Sequence, residues 1–370
     1  MKVSFPRERL AKTLLFVKNA IPKKEVEPIL NNLHFKTLDE NKTVQIVSTD
    51  LDLMSVATCE GTIDTAGEFT IPGQRLLSLI SKLTGDTITF DIQDTTIFIT
   101  CGTYKAEFKT PGTENYPDVY EITEKEALVS FKRETLLAGF KRVDFAVNED
   151  EAKKNLMAVQ ISRNGMVASN GKVTAIYREK FDVDELCISS NCLKDLIAVM
   201  AASPAEDVQI FEEDAYLVFK FGDDLFFTRK TSVSFPEVFK RFDTPTEQGN
   251  KEIIKFKVKD LKAVLQRVSL TASEETRSVI FDAITNDTMK ISAKDSKDFY
   301  SEETIPFTEE NIKNDGETPL QLIFNYDILL EVLSKMAAED IEFKLNIANI
   351  RVPVRVDEGK VTIFLMRSVL

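Results

Sequence analysis

The chain has 370 residues, 43% apolar and 29% charged, enough to bury the cores of two or three domains. It has no run of about 18 uncharged apolar residues and no basic-then-apolar leader. That argues against a membrane span or a secretory signal and for a soluble intracellular protein. The formal charge of −13, from 47 basic and 60 acidic residues, by itself disfavours a nucleic-acid partner.

The chain opens on Val3-Ser4-Phe5 and a basic helix carrying Leu10, Leu14 and Val17 at i, i+4 and i+7, one apolar helix face. That unit is written three times. Val129-Ser130-Phe131 begins a second copy 126 residues later, and Ile254-Lys255-Phe256 a third after another 125. Leu136, Phe140 and Val143, then Leu261, Leu265 and Val268, keep the register. So long a period means whole domains, not solenoid units of about 20 to 50 residues. The expected domains are 1–124, 125–247 and 248–370.

In the first copy the helix is predicted to end between Lys18 and Ile21, with strands at 32–36, 43–47 and 51–58. A second helix over 74–83 buries Leu76, Leu79, Ile80 and Leu83, and a hairpin turns at Gln93-Asp94. The second copy repeats this with Leu193, Leu196, Ile197 and Met200 on its later helix, and the third with Leu329, Val332, Leu333 and Met336. The linkers agree as well: Tyr116-Pro117-Asp118-Val119 is echoed by Phe235-Pro236-Glu237-Val238, both predicted as extended crossings. At the end of the chain, 361–364 reads as a core strand and 365–370 as a surface tail that lines a groove.

Charge follows the repeat. Residues 1–24 carry seven cations against Glu8 (+6), residues 131–142 four against Glu134 (+3), and residues 255–267 five against Asp260 (+4). Together these reach +13 and leave −26 for the rest. Three such helices around an axis would form one cationic lining with an acidic exterior, a surface that attracts phosphates without reading bases.

Signatures of catalysis are missing. There is no G-x-S-x-G, P-loop, G-x-G-x-x-G or H-E-x-x-H. The single histidine, His34, sits in an alternating strand and reads as structural. Asp50 and Asp52 form a carboxylate pair that alternation puts on one strand face; magnesium would suit it, and a solvated face or a turn explains it equally well. The cysteines Cys59, Cys101, Cys187 and Cys192 form no CxxC pair and read as reduced structural thiols.

The threefold plan, with 1–14, Pro28-Ile29-Leu30-Asn31-Asn32-Leu33, Ser48-Thr49-Asp50-Leu51, Phe235-Pro236 and Met366-Arg367, resembles the beta subunit of bacterial DNA polymerase III, the sliding clamp family, over the whole chain. The resemblance implies an α+β fold of three clamp domains, each with two helices packed on antiparallel sheets. A head-to-tail homodimer of such chains closes into a six-domain ring around double-stranded DNA. It implies no catalysis and no cofactor. Its partners would be DNA, bound without sequence preference, the polymerase, the clamp loader and other proteins that carry a peptide motif, with no membrane.

Carried onto this chain, the partner groove falls on Leu156, Ser169, Gly171, Lys172, Val173, Thr174, Pro236, Phe242, Ile363, Phe364, Leu365, Met366 and Arg367. The ring contact falls on Tyr104 to Phe108 and Leu270 to Arg277. DNA-facing positions are Lys23 and Lys24 in one loop, Lys153 and Lys154 in another, and Lys12, Arg75, Lys82 and Lys194 by helix spacing. The family commonly has Thr-Asp-Gly-His-Arg-Leu where this chain has Ser169-Asn170-Gly171-Lys172-Val173-Thr174. It has Met-Pro-Met-Arg-Leu where this chain has Phe364-Leu365-Met366-Arg367 and three more residues. The groove's polar rim should therefore differ from the common type, and the runner-up reading is a clamp-like scaffold that does not close on DNA.

Overall fold

The computed structural model describes residues 1–23, 27–38, 42–120, 122–123, 126–232, 235–238, 252–285, 287–295, 299–310, 320–347, 349 and 351–367. Six α-helices lie among them: α1 (Arg7–Val17), α2 (Gly73–Ile80), α3 (Arg133–Val143), α4 (Ser190–Ala202), α5 (Val258–Val268) and α6 (Tyr326–Lys335). The three expected first helices are α1, α3 and α5, each of 11 residues. Each follows directly on a strand, Lys2–Pro6, Val129–Lys132 and Glu252–Lys257. Leu10, Leu14 and Val17 are buried on α1, Leu261, Leu265 and Val268 on α5, as the spacing requires.

The chain divides into two compact units, residues 1–138 with 191–232 and residues 139–190 with 233–370. In the first, an antiparallel five-stranded sheet runs Thr62–Thr65, Lys2–Pro6, Thr87–Gln93, Thr96–Cys101, Tyr104–Lys109. An eight-stranded sheet runs Val129–Lys132, Asp207–Glu212, Tyr216–Phe221, Asp224–Arg229, Leu53–Glu60, Thr43–Thr49, Asn32–Thr37, Glu68–Pro72. Its middle is a joint between first-copy and second-copy strands, with Phe227 opposite Met54 and Leu225 opposite Val56. Phe5, Phe35, Phe69 and Phe90 fill the core, the Phe35 and Phe69 rings stacked at 4.8 Å.

The second unit repeats the scheme. Its nine-stranded sheet runs Leu186–Ser189, Ala158–Ser162, Gly165–Ser169, Val173–Tyr177, Val361–Leu365, Val354–Glu358, Asp340–Leu345, Glu252–Lys257, Thr308–Glu310. Here the joint pairs Thr174 with Phe364 and Val173 with Leu365. A four-stranded sheet runs Tyr300–Pro306, Thr288–Lys294, Ser278–Ala283, Gln321–Asn325. Phe256, Phe281, Phe324 and Phe343 form its aromatic core, with Phe281 and Phe324 edge-to-face at 5.4 Å. Among the described residues no helix is long and apolar enough to cross a membrane.

Several expectations need correction. Leu365 belongs to the last strand and is buried, so the strand runs one residue further than expected. The second helix ends at Ile80, not near Leu83. The hairpin turns at Asp94-Thr95, Asp94 taking φ +52°. Asp50 and Asp52 lie in a turn, not on a strand face, because the Asp50 carboxylate accepts from the Asp52 and Leu53 N–H groups at 3.0 and 2.7 Å. The linker at Phe235 is not fully extended, since the Val238 N–H reaches back to the Pro236 carbonyl at 2.6 Å.

Candidate functional site

The turn from Ser169 to Thr174 is built by its own side chains. The Asn170 amide oxygen accepts from the Lys172 and Val173 N–H groups at 2.9 and 3.0 Å. The Ser169 hydroxyl donates to the Val173 carbonyl at 3.2 Å, and Gly171 takes φ +85°, where a side chain would strain the backbone. The last strand runs along this turn, and the Met366 N–H donates to the Lys172 carbonyl at 2.9 Å. Arg367 then turns inward. Its Nη2 donates to the carbonyls of Asn346 and Asn349 at 2.8 and 2.5 Å, and burial lowers its pKa.

Two features border this turn and strand. One is a buried apolar cluster of Ala158, Val167, Ile176, Phe235, Val238 and Phe364, against which the partly buried Leu156 and Cys187 pack. The other is a cavity of about 120 Å³ lined by Lys172, Thr276, Asn325, Ile328, Leu365, Met366 and Arg367. Met366 stands 38% exposed beside it. Most of the expected groove residues are therefore brought together: Ser169 to Thr174, Leu156 and Phe364 to Arg367 border one site, with Pro236 next to Phe235. Ile363 is buried in the strand, and Phe242 lies outside the described residues. Thr276, Asn325 and Ile328 were missed. Asn325 caps α6, its side chain accepting from the Ile328 N–H, and a polar cap just before an apolar helix was the one signal available.

The cations are less free than a charge count suggests. Lys2 pairs with Asp64, Arg9 with Glu60, Lys132 with Asp207, Arg142 with Glu358, Lys255 with Glu310 and Glu342, Lys257 with Glu339 and Asp340, and Arg267 with Glu303. Much of the +13 is thus neutralised locally. The cations left without an ion pair to a described residue include Lys12 and Lys18 in and after α1, Lys141 on α3, and Lys259 and Lys262 on α5, each off its helix's buried face. Arg75, Lys82, Lys154 and Lys194 are exposed on or beside helices. Lys23 is engaged instead, its ammonium 2.8 Å from both oxygens of the buried Asp195 carboxylate. Lys153 donates to the Asn170 carbonyl at 3.3 Å and so borders the groove turn. Lys24 lies outside the described residues.

The sheets of each unit end in open edge strands. One of those in the first unit is Tyr104–Lys109, with Tyr104 exposed and Phe108 half-buried. One of those in the second is Tyr300–Pro306, a strand that sequence reasoning passed over. Leu270 is 84% exposed, the most exposed large apolar side chain among the described residues. Arg277 is tied to Asp327 at 2.7 Å. Unpaired edges of this kind are templates for another chain.

No catalytic constellation is present among the described residues, nor any group of three or more His, Cys, Asp or Glu able to hold a metal. Asp52 pairs with Arg229 at 2.6 Å. His34 is buried against Tyr116, its Nε2 3.3 Å from Glu68, and burial lowers its pKa. The cysteines are free, and burial pushes the thiols of Cys59, Cys187 and Cys192 up to about 11, away from thiolate chemistry.

Known proteins carry the same plan. The family profile "DNA polymerase III beta subunit, N-terminal domain" matches residues 1–120, and "DNA polymerase III beta subunit, C-terminal domain" matches residues 244–362. The "Beta sliding clamp" of Synechococcus elongatus is 22% identical over 363 residues, covering 94% of this chain and 93% of that protein. That of Vibrio cholerae is 21% identical over 358 residues, covering 94% of each. Among solved structures, the DNA polymerase III beta subunit of Thermotoga maritima superposes with a TM-score of 0.85 at 22% identity over 100% of this chain and 99% of that one. The sliding clamp of Bartonella birtlesii bound to griselimycin superposes with a TM-score of 0.86 at 18% identity over 100% of both. The chain belongs to the DNA polymerase III beta subunit family.

Proposed function

We propose that this chain is a DNA sliding clamp, a non-catalytic processivity factor in which three domains, 1–124, 125–247 and 248–370, make half of a homodimeric ring. The observation that carries the reading is the threefold strand–helix unit joined through two continuous sheets, with a cavity at the second joint and open edges on each unit. Pairing Tyr104–Lys109 of one copy with Tyr300–Pro306 of another is a heterologous contact, and two such contacts close a ring. Phe108 and Leu270 supply apolar surface for it, and Lys105 and Lys109 face a partner strand carrying Glu302 and Glu303.

Lys12, Lys18, Lys141, Lys259 and Lys262, with Arg75, Lys82, Lys154 and Lys194, are the proposed cations toward duplex DNA. Retention by topology needs only loose contacts, and screening over about 10 Å lets the ring slide. Polymerase, clamp loader and repair proteins dock an apolar peptide at the cavity beside Met366 and along the half-buried Leu156 that borders the cluster of Phe235 and Phe364. Lys172 makes the rim cationic, so a peptide with an acidic residue at that end is favoured. We place the ring in the cytoplasm, with no cofactor.

The test is primer extension on a long primed template by the partner polymerase with its clamp loader. Adding this protein should lengthen the product made per binding event, and Met366→Asp should abolish the gain. Equal product lengths with and without the protein would remove the reading.

A further inference from the structure

The frame of the groove in the second unit is built again in the first. The Asp50 carboxylate caps Asp52 and Leu53 as the Asn170 amide caps Lys172 and Val173. The Thr49 hydroxyl donates to the Leu53 carbonyl at 2.8 Å and accepts from the Leu51 N–H at 3.0 Å, the same two bonds that Ser169 makes to Val173 and Gly171. Leu51 takes φ +76° against +85° for Gly171. A leucine held there costs about 1–2 kcal/mol, so this turn is kept against its own backbone preference. The neighbouring strand closes on both turns, the Arg229 N–H donating to the Asp52 carbonyl at 3.1 Å where Met366 donates to Lys172. Tyr116, Val47, Val56 and Phe227 cluster behind this turn as Phe235, Val167, Ile176 and Phe364 do behind the other.

The first-unit patch carries its own cover. Tyr120, three residues beyond Pro117, lies on Tyr216 with ring centroids 4.6 Å apart and beside Phe227 at 6.2 Å. The two tyrosine hydroxyls are 3.1 Å apart, and Tyr216 donates to the Leu51 carbonyl at 3.2 Å. Val119 and Ile122 pack on the same patch. Thr123 ties the linker down through Glu213, its N–H donating at 2.9 Å and its hydroxyl bonding the same carboxylate. At the rim, the Asp52–Arg229 ion pair stands where the other groove has Lys172 and Met366.

We propose that the first unit holds a second docking site for a short apolar peptide, kept shut by the chain's own linker, with Tyr120 as the resident occupant. The proposal rests on reading the second-unit groove as a peptide site. Tyr120 remains 42% exposed and forms a wall of a cleft of about 770 Å³, whereas Tyr116 at the start of the linker is buried, its hydroxyl donating toward the Asn32 and Val47 carbonyls, so Tyr120 is the part of the linker that can lift away.

The test titrates the full-length protein with a fluorescein-labelled heptapeptide ending in Leu-Leu-Phe, against its all-serine counterpart, and reads the number bound per chain. Wild-type protein should bind one, and Met366→Asp none. Tyr120→Ser with Glu213→Gln should bind two, and one when Met366→Asp is added. A variant that stays at one, and at none with Met366→Asp, overturns the proposal while leaving the first groove standing. Wild-type protein that takes up the peptide no better than the serine control removes the peptide reading itself. If Tyr120→Ser does not fold, Thr123→Ala with Glu213→Gln releases the cover while keeping the aromatic side chain. It should still raise the count above one, and an unchanged count again overturns the proposal.

Discussion

Asp224→Asn should stabilise the first unit at neutral pH and leave it unchanged in acid. Asp224 opens the strand that joins the second repeat to the first, and its carboxylate accepts from the Thr58 N–H at 3.1 Å. Burial is the main cause that pushes its pKa up to about 6, with the neighbouring Asp223 charge adding to it. Because the folded pKa lies above the unfolded value of about 3.9, the native state binds the extra proton between those limits. Stability from this group is therefore greatest below pH 4, falls as pH rises through 6, and the penalty is complete above that. Two pKa units correspond to about 3 kcal/mol, which solvent screening of a partly exposed group reduces to roughly 2. Asparagine keeps the acceptor for Thr58 and removes the charge. In a unit of this size that predicts a gain of about 4–8 °C in thermal midpoint at pH 7.5 and none at pH 4, read by calorimetry. An equal shift at both pH values, or a loss at pH 7.5, would refute the reasoning.

Other substitutions probe the remaining elements. Ile328→Glu places a carboxylate in the cavity beside Met366 and should weaken capture of a partner peptide by about tenfold or more on a biosensor, with an unchanged melting curve. Leu270→Glu should turn a dimer into a monomer by light scattering at micromolar concentration, and an unchanged mass would speak against that contact. Alanine at Lys12, Lys259 or Lys262 should lower DNA affinity equally for all sequences and reduce the salt slope by about one each, measured by fluorescence anisotropy across a salt series. Asp195→Ala strips the anchor from Lys23 and should cost about 1–3 kcal/mol in urea unfolding; no loss would return Lys23 to the pool of free cations.

The three first helices were legible because Leu10, Leu14 and Val17 and their counterparts recur at helical spacing, a local signal that tertiary packing reinforces. Strand ends were less so. Asp50 captures two backbone N–H groups and ends pairing at Thr49, a side-chain effect that alternation does not express. The sheet joints were beyond sequence reading, since Phe227 meets Met54 and Phe364 meets Thr174 across more than a whole domain of chain. The groove turn and Met366 came from family resemblance, while Asn325 and Ile328 reach the same cavity from a helix with no distinguishing motif. Charge counting overestimated the free cations because carboxylates such as Glu60, Glu358 and Glu303 sit against the helix cations in space, not in sequence.

Topological linkage is measured most directly by loading the protein with a clamp-loader ATPase onto nicked circular DNA, linearising half the sample, and separating bound from free protein by gel filtration at raised salt. An encircling ring stays with the circle and runs off the linear ends. Equal retention on both forms, or loss from both at the same rate, would contradict it.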